Sequence, residues 1–346
     1  MIISRTPYRL SLFGGGTDFP VWYTRHKGAV IATTINKYLY LTCRYLPPFF
    51  EHRYRVVWSK IENVKEIHEI THPAVRAVLS ELGFERGVEI HADGDLPARS
   101  GIGSSSTFTV GMLNAAASLQ GITLSKHELA KRAIHIEQNV LKETVGSQDQ
   151  VSAAYGGLNR IDFDTNGEIV VTPLTVSKTR VQELNAHLML FYTGVKRPDL
   201  DIQAPFIAKL EAKHRELTIM QDLVEEGVSL LCGESDIMDF GTLFQEAWDI
   251  KRGFSPLVSN SEIDSIHAEA IRAGAVGGKL TGAGAGGFLL LFVPPEKQSS
   301  VRSALSKFLH VPFTLDFSGS RIIFSQPATD DRQIEWESFQ EVSPPE

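Results

Sequence analysis

The stretch "PARSGIGSSSTFTVGMLNAA", residues 97–116, sets two glycines and three serines directly before an apolar run. A strand-like segment, "GVEIHADGDLP" (87–97), leads into it, and the pattern predicts a helix that begins near Ser104 and stops before Gly121. The first turn of a helix presents four N–H groups without intrahelical partners, together with the positive end of the dipole. Glycines at its mouth let the backbone approach an anion with no Cβ in the way. Gly101, Gly103 and Ser104 therefore read as an anion site, and a hydroxyl in such a turn can reach a Mg²⁺ bridging two phosphates. A plain serine N-cap accounts for the same residues equally well.

Around this stretch the first half mixes strands and helices. "YLYLTCRYL" (38–46) alternates, with Leu39, Leu41, Cys43 and Tyr45 on one face and Tyr40, Thr42 and Arg44 on the other. "RYRVVWS" (53–59) also reads as a strand, and Pro73 opens a helix that Gly83 ends. Ser125 and Glu128 form a capping box before "KHELAKRAIHIEQNVLKE". Beyond about residue 175 the composition changes. A buried strand is expected at 187–194, a long helix from about Ala204 to Cys232, and helices near 236–251 and 261–273. Neither half shows a regular βαβα alternation, so two α+β domains are expected, divided near residue 180.

The second glycine cluster, "GGKLTGAGAGGFLLLFVPP" (277–295), spaces Gly282, Gly284 and Gly287 as G-x-G-x-x-G. In a dinucleotide fold that motif opens a helix. Here "FLLLFV" follows at once and reads as a strand, which excludes that fold. Lys279 is followed by Leu280, which excludes a Walker A loop.

With 346 residues, about two domains are expected. The net charge of −7 argues against a nucleic-acid or membrane-surface protein, so an anionic substrate needs local basic groups. No apolar run reaches the ~18 residues of a membrane span. Cys43 and Cys232 form no disulfide framework or metal spacing, which fits a reducing, cytoplasmic compartment.

Four polar positions stand out. Glu137 shares a helix face with residues 133, 136, 140 and 141, which are Ala, Ile, Val and Leu. A carboxylate there is paired, bound to a metal, or at the edge of the stripe. Asp149, in "VGSQDQVSAAYGGLN", taken alone fits a helix cap or turn better than a base. "RTPYRLSLFGGGTDFP" joins Arg9, three glycines and Asp18, where Asp18 also fits an Asx turn.

Together these segments resemble the motif set of the GHMP small-molecule kinases over nearly the whole chain. "PARSGIGSSS" is similar to the family's second motif, "KLTGAGAGG" to its third, "PYRLSLFGGGTD" to its first, and "GSQDQ" to the segment with its catalytic aspartate. The resemblance implies a ribosomal-protein-S5-like domain over 1–180 and a ferredoxin-like domain over 181–346, with the active site in the cleft between them. It implies ATP and Mg²⁺, a small-molecule partner, and room for a homodimer. Pro97, Gly101, Gly103, Ser104, Ser105 and Ser106 would cradle the ATP phosphates, and Ser105 with Glu137 would hold Mg²⁺. Asp149 would take the proton of the attacking hydroxyl, while Arg9 would stabilise the transferring phosphoryl and keep Asp149 ionised.

Gly15, Gly16, Thr17, Asp18 and Gly284 would form the sugar pocket on the same resemblance. Galactokinases carry Gly-Glu-His-Thr-Asp where this chain has Gly14-Gly15-Gly16-Thr17-Asp18, which disfavours galactose. The "GGGTD" form is similar to the heptose-phosphate kinase branch, which acts on the anomeric hydroxyl in making activated heptose for bacterial surface polysaccharide. It is more loosely similar to the fucokinase branch. A phosphosugar needs cations, for which Arg44, Lys196 and Arg197 are candidates. The alternatives are a kinase of free fucose or hexose, and a sugar- and ATP-binding sensor without turnover.

Overall fold

Two glycine loops, one from each half of the chain, lie against each other and locate the site within the architecture. The computed structural model describes residues 1–47, 49–195, 207 and 210–326. Lys196 and Arg197 lie outside the described residues.

The first sheet grows from a long hairpin of β1 (Ile2–Phe13) and β2 (Gly28–Tyr45). The first eight residues of β2 are buried on both faces, and alternation sets in only towards its far end. Next to β2 lies β5 (Val88–Gly94), then β3 (Tyr54–Val57) and β4 (Ile61–Val64). The pairing of β3 with β5 is parallel. At the other end of β2 stand β6 (Asn159–Phe163) and β7 (Ile169–Pro173). The helices of this half are α1 (Pro20–His26), α2 (Pro73–Glu81), α3 (Ser104–Leu119), α4 (Lys126–His135) and α5 (Gln148–Tyr155). The Ser125–Glu128 capping box forms as expected.

After α6 (Lys178–His187), a second, four-stranded antiparallel sheet begins at β8 (Leu188–Tyr192). It continues through β9 (Gly277–Leu280), β10 (Phe288–Phe292) and β11 (Leu309–Val311), in the order β11-β8-β10-β9. Its helices include α7 (His214–Cys232), α8 (Ile237–Arg252), α9 (Ser261–Ala273) and α10 (Gln298–Ala304). The long helix expected from Ala204 is described only from His214, after a 3₁₀ turn at Leu210–Lys213.

The expected division at residue 180 needs one correction. β12 (Leu315–Asp316) pairs with β2, and β13 (Arg321–Ser325) pairs with β1. The chain thus returns to the first sheet, and the second unit is not the continuous segment 181–346. Phe13 of β1 meets Phe240 and Phe244 of α8 edge-on, with centroids 5.2 and 6.0 Å apart, and ties the two units together beside the cleft. Among the described residues no helix is long and apolar enough to cross a membrane.

Candidate active site

The first turn of α3 has no side-chain cap. Its N-cap is Gly103, in the left-handed region at φ 73°. The three serines divide their work. Ser104 Oγ accepts from the Arg99 N–H at 2.9 Å, Ser105 is exposed, and Ser106 is buried and donates to Glu137 Oε2 at 2.8 Å. Pro97 takes part through its carbonyl, which accepts from Ser100 Oγ at 2.6 Å. A capping serine is therefore excluded, and the helix mouth stays open to an anion.

Arg9 is 4% exposed and lies where the pairing of β1 with β2 shifts register. Such an irregularity re-aims side chains beside sites. Its Nε and one terminal nitrogen donate to the two oxygens of Asp149, both at 2.7 Å, and the other terminal nitrogen donates to the Gly101 carbonyl at 2.8 Å. The fork thus fixes Asp149 and the glycine loop in one geometry. Asp149 sits in the first turn of α5 with its side chain 25% exposed, so it is aimed by Arg9 and still reachable. A Cβ on Gly103 would stand 3.0 Å from Arg9 Cγ and 3.4 Å from Asp149 Oδ2.

Glu137 is fully buried, which removes the edge-of-stripe reading. It lies in a single π turn, Ile136–Val140, that continues α4. Its Oε2 accepts from Ser106 and, at 2.5 Å, from Gln150 Nε2, while Oε1 has no partner. Burial raises its pKa from 4.5 to about 7, against the nearby Thr109 hydroxyl and the Ser106 and Gln150 hydrogen bonds, which lower it. The serine against Glu137 is Ser106 and not the expected Ser105. Consecutive helix residues point ~100° apart, so when Ser106 faces inward Ser105 turns to solvent.

Asp18 is 2% exposed and accepts from the Gly16 N–H at 3.0 Å. Burial raises its pKa, and the Gly16 and Gln148 hydrogen bonds work in the other direction. Gly146 allows this approach, since a Cβ there would fall 1.9 Å from Asp18 Oδ2. Gly15, Gly16 and Asp18 line the cleft together with Arg9 and Asp149. Thr17 does not. It is fully buried, donates to the Gly14 carbonyl at 2.8 Å and accepts from the Ala29 N–H at 3.1 Å, so its hydroxyl shapes the loop from behind.

The loop between β9 and β10 explains its own glycines. Gly282 (φ +69°) and Gly287 (φ +103°) would drive a Cβ to 2.5 Å from the Gly101 carbonyl oxygen and 2.1 Å from that of Ser100. The loop of the second unit is seated directly on the glycine loop that leads into α3. Gly284 packs on the Val258 backbone, and the loop residues that line the cleft are Gly282 and Ala283, which corrects the placement of Gly284 in the pocket.

Arg44 is also corrected. It hydrogen-bonds Glu89 at 2.7 Å. It stands ten residues beyond Thr34, the partner of Arg9 in the hairpin. At the rise of a strand that is about 30 Å from the cleft.

Sequence reasoning missed Gln150, Gly146 and two lysines. Lys279 is buried and donates to the Leu12 carbonyl at 2.8 Å. Its pKa is held well below the usual lysine range by burial, with Lys251 and Arg9 adding repulsion. Lys251 lines the cleft, and its Nζ donates to the Gly282 carbonyl at 2.5 Å. Gly146 and Gln150 had a signal, their place with Asp149 in "GSQDQ".

Residues 68–157 match the family model for the GHMP kinases N terminal domain, and residues 224–311 match that for GHMP kinases C terminal. A D-glycero-alpha-D-manno-heptose 7-phosphate kinase of Campylobacter jejuni is 33% identical over 334 residues, spanning 88% of this chain and 93% of the relative. A galactokinase of Pyrococcus furiosus is 26% identical, with 88% and 92% covered. Among solved structures, a D-glycero-D-manno-heptose 1-phosphate kinase from Bacteroides thetaiotaomicron superposes with a TM-score of 0.78 at 24% identity, over 94% of this chain and all of that one.

Proposed function

We propose that this chain, which belongs to the GHMP kinase family, transfers the terminal phosphate of ATP to the anomeric hydroxyl of D-glycero-D-manno-heptose 7-phosphate, giving the 1,7-bisphosphate. The observation that carries the transfer chemistry is the Arg9 fork, which holds Asp149 and Gly101 together at the open end of α3. The choice of sugar is supported by the heptose 7-phosphate kinase relative, which matches almost end to end.

The first-turn amides of α3 and the exposed Ser105 receive the nucleotide's phosphates. Asp149 accepts the proton of the sugar hydroxyl as that oxygen attacks, and Arg9 fixes the direction of the carboxylate and offsets the charge that develops on the phosphoryl group. Asp18 and the Gly15–Gly16 backbone hold sugar hydroxyls. The unpartnered Oε1 of Glu137 and the Ser106 hydroxyl on its other oxygen are the oxygen donors that would hold Mg²⁺. Mg²⁺ bound there would neutralise phosphate charge. The second glycine loop packs on Ser100 and Gly101 beside the open helix mouth.

The test is ADP release from Mg-ATP across free and 7-phosphorylated heptoses, hexoses, homoserine and mevalonate, with phosphorus NMR of the product. Turnover highest on the heptose 7-phosphate, with new phosphate on the anomeric carbon, is expected. Turnover on mevalonate and on no sugar contradicts the reading.

A further inference from the structure

Arg9 and Lys251 are the cationic side chains among the described residues that line the cleft. Arg9 commits its guanidinium to both oxygens of Asp149 and to the Gly101 carbonyl. Lys251 enters from the wall supplied by the second unit. It lies in the last turn of α8, and its Nζ donates to the carbonyl of Gly282, the residue that rests on Gly101. Phe254 and Val258, just beyond the helix, complete that wall.

The charge in this cleft is otherwise unfavourable to a phosphorylated sugar. Asp18 and Asp149 both line it, Asp149 already held by Arg9, and a sugar placed against them would bring a phosphate of about −2 towards these acidic groups. A second cation in the cleft offsets that repulsion, and an ammonium suits phosphate as a compact point charge. Arg44 cannot serve, being bound to Glu89 at the other end of β2. We propose that Lys251 grips the phosphate already carried by the sugar and so sets the preference for a phosphorylated over a free substrate. This rests on the sugar-phosphate reading above.

Lys251→Gln keeps a donor for Gly282 and removes the charge, while Lys251→Arg keeps the charge. Both are assayed on heptose 7-phosphate and on the free heptose, with KM for ATP measured alongside. In Lys251→Gln the ratio of kcat/KM for phosphorylated over free sugar falls about 10- to 100-fold, through KM for the phosphosugar, as loss of a charged hydrogen bond predicts. Lys251→Arg recovers most of the ratio, which separates loss of charge from misfolding. An unchanged ratio in a folded Lys251→Gln overturns the assignment, and so does a raised KM for ATP with equal losses on both sugars, because Lys251 then serves the nucleotide. A wild-type chain without preference for the phosphosugar overturns the substrate reading itself, and that result is visible before any variant is made.

Discussion

Asp149 and Arg9 meet through two hydrogen bonds of 2.7 Å across 140 positions of sequence, and the proposed chemistry turns on that pair. Asp149→Asn removes the base and leaves the helix mouth in place. It lowers kcat by about 10²- to 10⁴-fold with little change in nucleotide affinity, measured by steady-state kinetics and calorimetry. Retained activity would exclude Asp149 as the base. Glu137 gives a prediction about pH. Its carboxyl titrates near 4.5 when exposed and at about 7 in the folded chain. Between those values the folded chain keeps a proton that the unfolded chain has lost, so stability falls as pH rises from 4.5 to 7, by about 3 kcal/mol for this group. Glu137→Gln should flatten that slope in denaturant titrations without nucleotide, and an unchanged slope would contradict the assignment. Glu137 was legible because a carboxylate interrupts an apolar stripe. Lys251 was not, since a lysine in the last turn of a helix is ordinary at the sequence level and only the fold aims it inward.

At the scale of elements, the decisive piece is a helix that begins on a left-handed glycine. Gly103→Ala would force an L side chain into φ 73° against Arg9 and Asp149. Misplacement near 1 Å at such a site costs about 10²-fold in kcat/KM, whereas Gly121→Ala, with open space around its Cβ, should strain the backbone and leave the kinetics near wild type. Equal losses in both variants would show that the effect is general strain. Helix starts were readable because Pro73 and the Ser125–Glu128 box act locally. The first half of β2 was not, because a strand buried on both faces does not alternate. The π turn at Ile136–Val140 left no trace either, since it is a pattern of backbone bonds and not of residue types.

For the whole molecule, the two glycine loops come from different units and share one contact, Gly282 and Gly287 on Ser100 and Gly101. The expectation of two α+β units held, yet the return of β12 and β13 to the first sheet was hidden. Short strands at the chain's end carry no sign of which partner they will find. Nucleotide bound at the α3 mouth should therefore order both loops at once. At a hundredfold excess over Kd it adds about 2.7 kcal/mol of stability, with hydrogen-exchange protection in residues 97–104 and 281–287 together. Protection confined to the first segment would separate the loops. The most direct test of the central claim is a crystal structure with a non-hydrolysable ATP analogue and Mg²⁺. The terminal phosphate should lie within about 3 Å of the first-turn amides of α3, with the Arg9–Asp149 pair facing it. A terminal phosphate seated anywhere else in the cleft would contradict the account.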